Sequence, residues 1–553
     1  MTNPTITLER SGDIALLRIC NPPVNAISPA VVAGLERAIE AFEEDGLARA
    51  LVLACAGRTF VAGGDIASFD DPSFSAAPFN AKAIVEAVQA ALRPFDEGEV
   101  VEARLFEQLR ASPQSRALRH LFFAQREAAK IPGLGREIRL RAVRSVGVLG
   151  AGTMGRGIAM NFLNAGIPTV LVETTQHALD TALTAIRGLY DASAAKGKLT
   201  AEQLHQRMSL LTGSLSDAAL SDPDLVIEAV FENMDLKTQV CARLGQICKP
   251  GAIIATNTST LDVDMLARAT GRPQGVLGMH FFSPANVMRL LEVVRGQATA
   301  PDVLATVMQL ARRIGKVAVV SGVCYGFIGN RMAEVYMREA EFLIMEGASP
   351  AQVDAAVETL GMAMGPCRML DMAGIDVGAK TVIEYGKAGG LPPDDSYRAL
   401  VRRMFELGRF GQKTGAGYYR YEGRRPLPDS QTEQIAQELA KQHGIDRRAS
   451  IPAREIVERL IYPMVNEAAK ILEEGIAWRG GDIDVVWTAG YGFPDHQGGP
   501  LFMADQIGLP MIVDRLANYA EERGDAFGYW STSALLKDLA GSGRRISDWQ
   551  RTS

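Results

Sequence analysis

The sequence predicts an α/β chain: a doubly wound, parallel-sheet domain followed by two repeated all-helical domains, and preceded by a shorter α/β segment and a helical linker. Three observations predict it. A glycine-rich turn joins a short apolar run to a helix-compatible one within residues 145–173. Apolar strands alternate with amphipathic helices from 140 to about 322. Beyond that point strand signal fades and one helical pattern occurs twice. At 553 residues the chain exceeds what one hydrophobic core serves, so several domains are expected.

Apolar residues make up 47% and charged residues 22%, the texture of a globular protein. A net charge of -6 without a long basic tract argues against nucleic acid as a partner. Six cysteines with no CxxC pair read as reduced thiols, so neither a disulfide framework nor a metal site is expected. No stretch reaches the roughly eighteen uninterrupted apolar residues of a membrane span. The N-terminus lacks a signal peptide's pattern, and "WQRTS" is not an SKL-type address, so a cytoplasmic location is the default and no membrane partner is expected.

Taken in order, residues 1–80 alternate short strands ("IALLRI", "ALVLAC") with "AVVAGLERAIEAFEE", a βαβ texture. Residues 81–140 read as a linker of charged amphipathic helices, stopped by Pro132 and Gly133. Residues 141–322 return to α/β alternation. Then "RMAEVYMREAEFLIMEG" at 331–347 aligns with "RLIYPMVNEAAKILEEG" at 459–475, sharing Arg, Glu-Ala and Glu-Gly at one offset. "GPCRMLDMAGI" at 365 likewise matches "GPLFMADQIGL" at 499, six residues further out of register. Two related helical domains, 323–422 and 451–553, account for this, with a polar, proline-bearing linker over 423–450.

The opening of the α/β domain has the strand "VGVL" followed by Gly150, Gly152 and Gly155 at GxGxxG spacing and then a helical run, the Rossmann-type arrangement. The first glycine permits the tight turn, the second lets backbone approach a pyrophosphate, and the third lets helix sit close to strand. A second strand, "TVLVE", ends on Glu173, where such a site places an acid for the adenosine ribose. A carboxylate there repels a 2'-phosphate, which favours NAD over NADP.

Of six histidines, His120, His177, His205, His443 and His496 lie in polar or helical, surface-like contexts, whereas His280 lies in the apolar "GVLGMHFFSP". Twelve residues on, Glu292 lies inside "RLLEVV", where an ionised carboxylate is costly to bury unless paired. Two strands joined by a short turn bring such side chains together, and a Glu accepting one imidazole N–H leaves the other nitrogen a base. The spacing equally allows a satisfied core histidine beside an unrelated carboxylate. Asn257, Thr258 and Ser259 follow a strand where doubly wound sheets bind ligands, and Asn330 opens the first helical domain. Each is either ligand-facing or a plain capping or turn residue.

In order and spacing, "GAGTMG", "EAVFENMDLK", "NTSTL", "HFFSP", "LLEVV" and "GFIGNR" resemble the L-3-hydroxyacyl-CoA dehydrogenase family, in the long form fused to a crotonase module. The resemblance covers residues 143 to about 540. It implies His280 as catalytic base with Glu292 its partner, and Ser259 and Asn330 as hydrogen-bonding groups for the substrate's C3 oxygen and the histidine. It implies Gly150, Gly152, Gly155, Glu173 and Asn257 as NAD-binding residues, with Glu232 and Lys237 near the nicotinamide ribose. The reaction implied is hydride transfer from C3 of an (S)-3-hydroxyacyl-CoA to NAD+ in fatty acid β-oxidation. The position matching Asn330 in the second repeat is Glu458, so that repeat reads as a structural copy packed on the first, and a monomer with a pseudo-dimeric pair of helical domains is expected. Two other readings remain at this point, a non-catalytic scaffold binding CoA esters and a dehydrogenase of a free 3-hydroxy acid.

Residues 1–80 resemble the opening of a crotonase domain, with "PPVNAIS" and "RTFVAGGDIASF" where that family binds CoA. The resemblance implies the Gly64 N–H as one of two oxyanion-hole donors. The later glycine-rich turn and the acid–base glutamates do not follow. The chain passes directly into the linker near Asn80 to Ala83, so loss of hydratase and isomerase activity is expected.

Overall fold

The computed structural model describes residues 5–22, 25–26, 28–56, 94–134, 138–387 and 389–551. Two compact units result, Met1–Arg119 and His120–Ser553.

In the first unit, β1 (Ile6–Ser11) and β2 (Ile14–Ile19) pair antiparallel, α1 (Pro29–Glu44) crosses over, and β3 (Ala50–Cys55) returns parallel to β2. Leu17, Ile19 and Val31 are buried together, while Val52 and Leu53 of β3 are exposed. Two helices follow, α2 (Phe95–Arg110) and α3 (Pro113–Ala128). Gly64 and the Asn80–Ala83 junction lie outside the described residues.

The second unit builds one sheet from β4 (Val146–Leu149), α4 (Thr153–Asn164), β5 (Thr169–Val172), α5 (Gln176–Ala195), α6 (Ala201–Ser209), β6 (Leu211–Ser214), β7 (Leu225–Glu228), α7 (Met234–Ile247), β8 (Ile253–Thr256), α8 (Val263–Ala269), β9 (Val276–Phe281), β10 (Leu290–Val294), α9 (Pro301–Arg313) and β11 (Val317–Ser321). The spatial order is β11-β10-β9-β8-β7-β4-β5-β6. From β6 to β9 the strands are parallel, and β10 then turns back antiparallel to β9. Strands β4, β7, β8, β9 and β10 are buried along their whole length, which is why each reads as a continuous apolar run. The chain steps outward from β4 to β6, then resumes on β4's other side with β7. This reversal leaves a crevice beyond the carboxyl ends of β4 and β7, where doubly wound sheets bind ligands.

The helical part comprises α10 (Gly329–Met345), α11 (Pro350–Leu360), α12 (Pro366–Ala373), α13 (Ile375–Lys387), α14 (Ala399–Glu406), the hairpin β12 (Arg420–Glu422) and β13 (Arg425–Leu427), α15 (Ser430–Gln442), α16 (Ala453–Glu473), α17 (Gly480–Gly490), α18 (Pro500–Ile507), α19 (Leu509–Arg523) and α20 (Ala534–Ser542). The stretch expected as a linker carries the helix α15. Arg409 reaches the Gln431 side chain at 2.7 Å, and Thr432 donates to the Gly417 carbonyl at 3.1 Å, tying α15 to the first repeat.

The repeat is visible in the hydrogen bonds. Arg331 and Arg459, Glu339 and Glu467, and Glu346 and Glu474 each lie 128 residues apart. Arg331 of α10 pairs with Glu467 at 2.7 Å and with Glu474 at 2.5 Å, while Arg459 of α16 pairs with Glu339 at 3.0 Å and Glu346 at 2.7 Å. The two central helices thus exchange ion pairs across a pseudo-two-fold axis, as isologous subunit contacts do. The helix starts repeat too: Asp354 accepts the N–H groups of Cys367 and Arg368, and Asp484 those of Leu501 and Phe502. Asp371 accepts from the Tyr418 and Tyr419 amides, Asp505 from Ile546 and Ser547.

One expectation from the sequence fails here. His120 is not a surface residue: its Nε2 lies 2.8 Å from Asp484 Oδ2, and its ring stacks on Phe502 at 4.8 Å. Its residues alone gave no sign of a partner 364 positions away.

Arg459 is almost wholly buried between two carboxylates, whereas Glu474, partner of Arg331, is 48% exposed. Removing the buried cation leaves Glu339 only Arg338 and Glu346 only Arg523 as cationic partners, so Arg459→Met should cost about 3 kcal/mol, against about 1 kcal/mol or less for Arg331→Met. Urea unfolding followed by tryptophan fluorescence reads this directly, because all four tryptophans, Trp478, Trp487, Trp530 and Trp549, lie in the second repeat.

Candidate active site

The glycine cradle forms as the spacing demands. Gly150 adopts φ +98°, and a Cβ there would meet the Ala229 carbonyl oxygen at 2.7 Å. A Cβ on Gly155 would fall 1.8 Å from the Gly150 carbonyl oxygen, so only glycine lets α4 sit this close to β4. Gly152 has open space around it and is the N-cap of α4 with no side-chain cap, which leaves first-turn N–H groups turned to the crevice. Glu173 Oε2 accepts the Ala151 N–H at 2.9 Å, while Oε1 accepts the Thr174 amide and hydroxyl. Partial burial alone would raise its pKa, but the hydrogen bonds from Thr174 and Ala151 outweigh it and hold the carboxyl below its ordinary value. An anion therefore stands at the edge of the cradle.

The antiparallel register of β9 and β10 sets Glu292 directly opposite His280. The imidazole is 5% exposed and the carboxylate fully buried, with Nδ1 and Oε2 2.7 Å apart. The other oxygen, Oε1, accepts the N–H groups of Ile328 at 3.2 Å and Gly329 at 2.9 Å, at the first turn of α10. A carboxylate can only accept, so Nδ1 carries the hydrogen and Nε2 keeps its lone pair. Phe282 and Phe327 pack on the ring at 4.4 and 5.6 Å between centroids, fixing its plane.

The loop after β8 is held by Glu232. Its Oε1 accepts from the Thr258 hydroxyl at 2.7 Å, the Ser259 amide at 2.8 Å and the Ser259 hydroxyl at 3.1 Å. Asn330 Nδ2 donates to the Ser259 carbonyl at 3.3 Å, so the serine and the amide are neighbours. Asn257 turns its Oδ1 to the Phe281 N–H at 3.0 Å, linking the end of β8 to the strand of His280.

Lys237, expected near the nicotinamide ribose, is held in a buried ion pair. Its ammonium is fully buried, 2.8–2.9 Å from both oxygens of Glu228 and 3.6 Å from Glu232. A buried ammonium binds its nearest full anion, and Glu228 also accepts the Thr256 hydroxyl. Burial pushes the Glu228 carboxyl up against the opposing pull of Lys237. Sequence reasoning missed Glu228, although it ends the buried strand "LVIE" and carries the same signal, an acid in an apolar run, that marked Glu292.

With this geometry in place, comparison with known proteins identifies the family. Residues 145–324 match the 3-hydroxyacyl-CoA dehydrogenase NAD binding domain, and residues 326–421 and 456–546 each match the C-terminal domain of the same family. The chain is similar to the peroxisomal bifunctional enzyme of Cavia porcellus, 43% identical over 84% of this chain and 66% of that one. The Homo sapiens counterpart is 43% identical over 85% and 67%. The chain thus spans about two thirds of the length of these relatives. Among solved structures, 3-hydroxybutyryl-CoA dehydrogenase from Escherichia coli K12 is similar with a TM-score of 0.63 and 27% identity, over 73% of this chain and all of that one. These relatives overturn the cytoplasmic expectation, since both bifunctional enzymes are named as peroxisomal. That expectation rested on "WQRTS" not being an SKL-type address and on the N-terminus lacking a signal peptide's pattern, and such addresses are read by receptors and not constrained by the fold.

The cradle binds NAD, and Gly155→Ala should weaken NADH at least about tenfold in a fluorescence titration, because the methyl would force α4 from β4. The doubled C-terminal match, the helical repeat it covers and the cradled dinucleotide site together make this chain a member of the 3-hydroxyacyl-CoA dehydrogenase family.

Proposed function

We propose that the chain oxidises (S)-3-hydroxyacyl-CoA to 3-ketoacyl-CoA and lacks the hydratase activity of the crotonase module that residues 1–80 resemble. The observation that carries the reading is the His280–Glu292 pair, a buried imidazole whose one nitrogen is engaged at 2.7 Å and whose other is left as a base. His280 Nε2 accepts the proton of the C3 hydroxyl, and Glu292 stabilises the imidazolium that forms. Asn330 donates to the developing carbonyl oxygen, which gains negative character on the way, and Ser259 does so when its one hydroxyl hydrogen turns from Glu232 to the substrate. Gly150, Gly152, Gly155, Glu173 and Asn257 would hold NAD, which supplies the hydride acceptor. Glu232 and Lys237 serve this site by fixing the loop that carries Ser259. The names of the relatives support a peroxisomal setting, and that of the Oryza sativa relative, a peroxisomal fatty acid beta-oxidation multifunctional protein, supports a place in fatty acid β-oxidation. The crotonase-like reading of residues 1–80 rests on their motifs alone, and the later glutamates that serve that family as acid and base do not follow them.

Reduction of acetoacetyl-CoA, followed by loss of NADH absorbance, tests the main reading. His280→Gln should lower kcat by about 10²–10⁴-fold with NADH affinity unchanged. A wild-type rate in that variant sinks the assignment. The same preparation should not convert crotonyl-CoA to its 3-hydroxy product, and any measurable hydration overturns the proposed loss.

A further inference from the structure

We propose that Tyr491, which belongs to the second helical repeat, is a positioning residue that orients the substrate-facing amide of Asn330 in the first. The inference rests on the role given to Asn330 above. It makes the second repeat part of the working site as well as a structural copy.

The geometry is specific. The Tyr491 hydroxyl donates to Asn330 Oδ1 at 2.6 Å, across 161 residues of sequence. Asn330 Nδ2 donates to the Ser259 carbonyl at 3.3 Å. With the oxygen engaged by the phenol and one N–H by the serine carbonyl, a single amide N–H remains for the C3 oxygen. Without the phenol only the long 3.3 Å bond to the Ser259 carbonyl would hold the amide, and a 180° rotation about the last side-chain bond would turn its oxygen toward the substrate's oxygen. Two acceptors would then face each other.

Tyr491 is well placed for this. Its ring stacks on Trp487 at 4.7 Å and meets Phe282, itself against His280, edge-on at 5.4 Å. Gly329 allows the approach, since a Cβ there would lie 2.5 Å from the tyrosine ring and 2.7 Å from its hydroxyl oxygen. Burial, and then the charge of Glu292, hold the phenol well above its ordinary pKa, so it stays a donor. The second repeat grips the same helical turn a second way, because Glu467 and Glu474 bind Arg331, the next residue along α10. The first turn of α10 therefore takes its position from the second repeat, while its Ile328 and Gly329 amides hold Glu292.

The test is a double-mutant cycle on acetoacetyl-CoA reduction, using Tyr491→Phe, Asn330→Ala and the double variant. Y491F keeps the ring and its stacking, so its thermal midpoint should stay within a few degrees of wild type. Its kcat should fall about ten- to a hundredfold with KM and NADH affinity nearly unchanged. N330A should lose about a hundredfold or more, and the double variant should match N330A within about twofold, because a phenol with no amide to orient has nothing left to do. A second route does not alter Tyr491: Gly329→Ala crowds the phenol away from Asn330 and should reproduce both the fall in kcat and the lack of additivity with N330A. A wild-type kcat in Y491F and G329A, or losses that multiply with that of N330A, overturns the role of Tyr491 and leaves the dehydrogenase reading standing. A wild-type kcat in N330A removes the role of Asn330 itself, and that of Tyr491 with it.

Discussion

One buried carboxylate sets the geometry around it. Glu292 sits in the middle of an apolar strand, where an unpaired anion would be untenable, and it survives because three donors converge on it: the His280 ring and the Ile328 and Gly329 amides. The two amides open helix α10, so the positive end of the helix dipole adds to the pairing. The arrangement couples three things that a sheet and a helical domain would otherwise settle separately. The register of β9 on β10 is fixed, since a slip by one residue turns Glu292 to the opposite face. The approach of α10 to the sheet is fixed by its first turn. The tautomer of His280 is fixed because the carboxylate can only accept.

A second constraint orders the helical half. Two copies of one helical motif exchange their Arg–Glu pairs, and each copy uses an aspartate to hold the start of a helix and another to hold a returning strand or turn. Buried acids of this kind are costly alone and specific together, since each has a fixed set of amides to satisfy. Asp354 finds its last partner in Tyr419, which follows it in the same repeat. Asp484 finds its partner in His120, on a helix that precedes the whole dinucleotide-binding domain. The same acid in the same place is thus completed by different chemistry in each copy.

The sequence carried much of this, unevenly. The cradle was legible because steric demands on glycine are local: Gly150 and Gly155 contact backbone that no other residue could approach. His280 and Glu292 were legible because charge in an apolar run demands a partner and alternation on adjacent strands supplies one. Glu228 carried the same signal and was passed over, although it is the buried partner of Lys237. His120 and Tyr491 were beyond reach, since each finds its partner through tertiary packing over more than a hundred residues and neither stands in a patterned stretch. The segment read as a polar, proline-bearing linker carries a helix because Asp429, Gln431 and Thr432 bind Arg409 and Gly417 of the first repeat, a context that composition does not report.

The departures from symmetry locate the chemistry. Asn330 and Glu458 occupy matching positions on α10 and α16, yet the glutamate is bound by Arg454, Arg515 and Tyr519, all in its own repeat. Those partners hold its carboxyl below the ordinary value despite burial, so it is a fixed anion and cannot offer the neutral N–H that a developing carbonyl oxygen requires. The first repeat keeps the amide and receives a phenol from the second. Where the two copies pack on each other the acids and arginines match. Where only one of them faces the dinucleotide-binding domain, the residues differ, because packing no longer demands a pair.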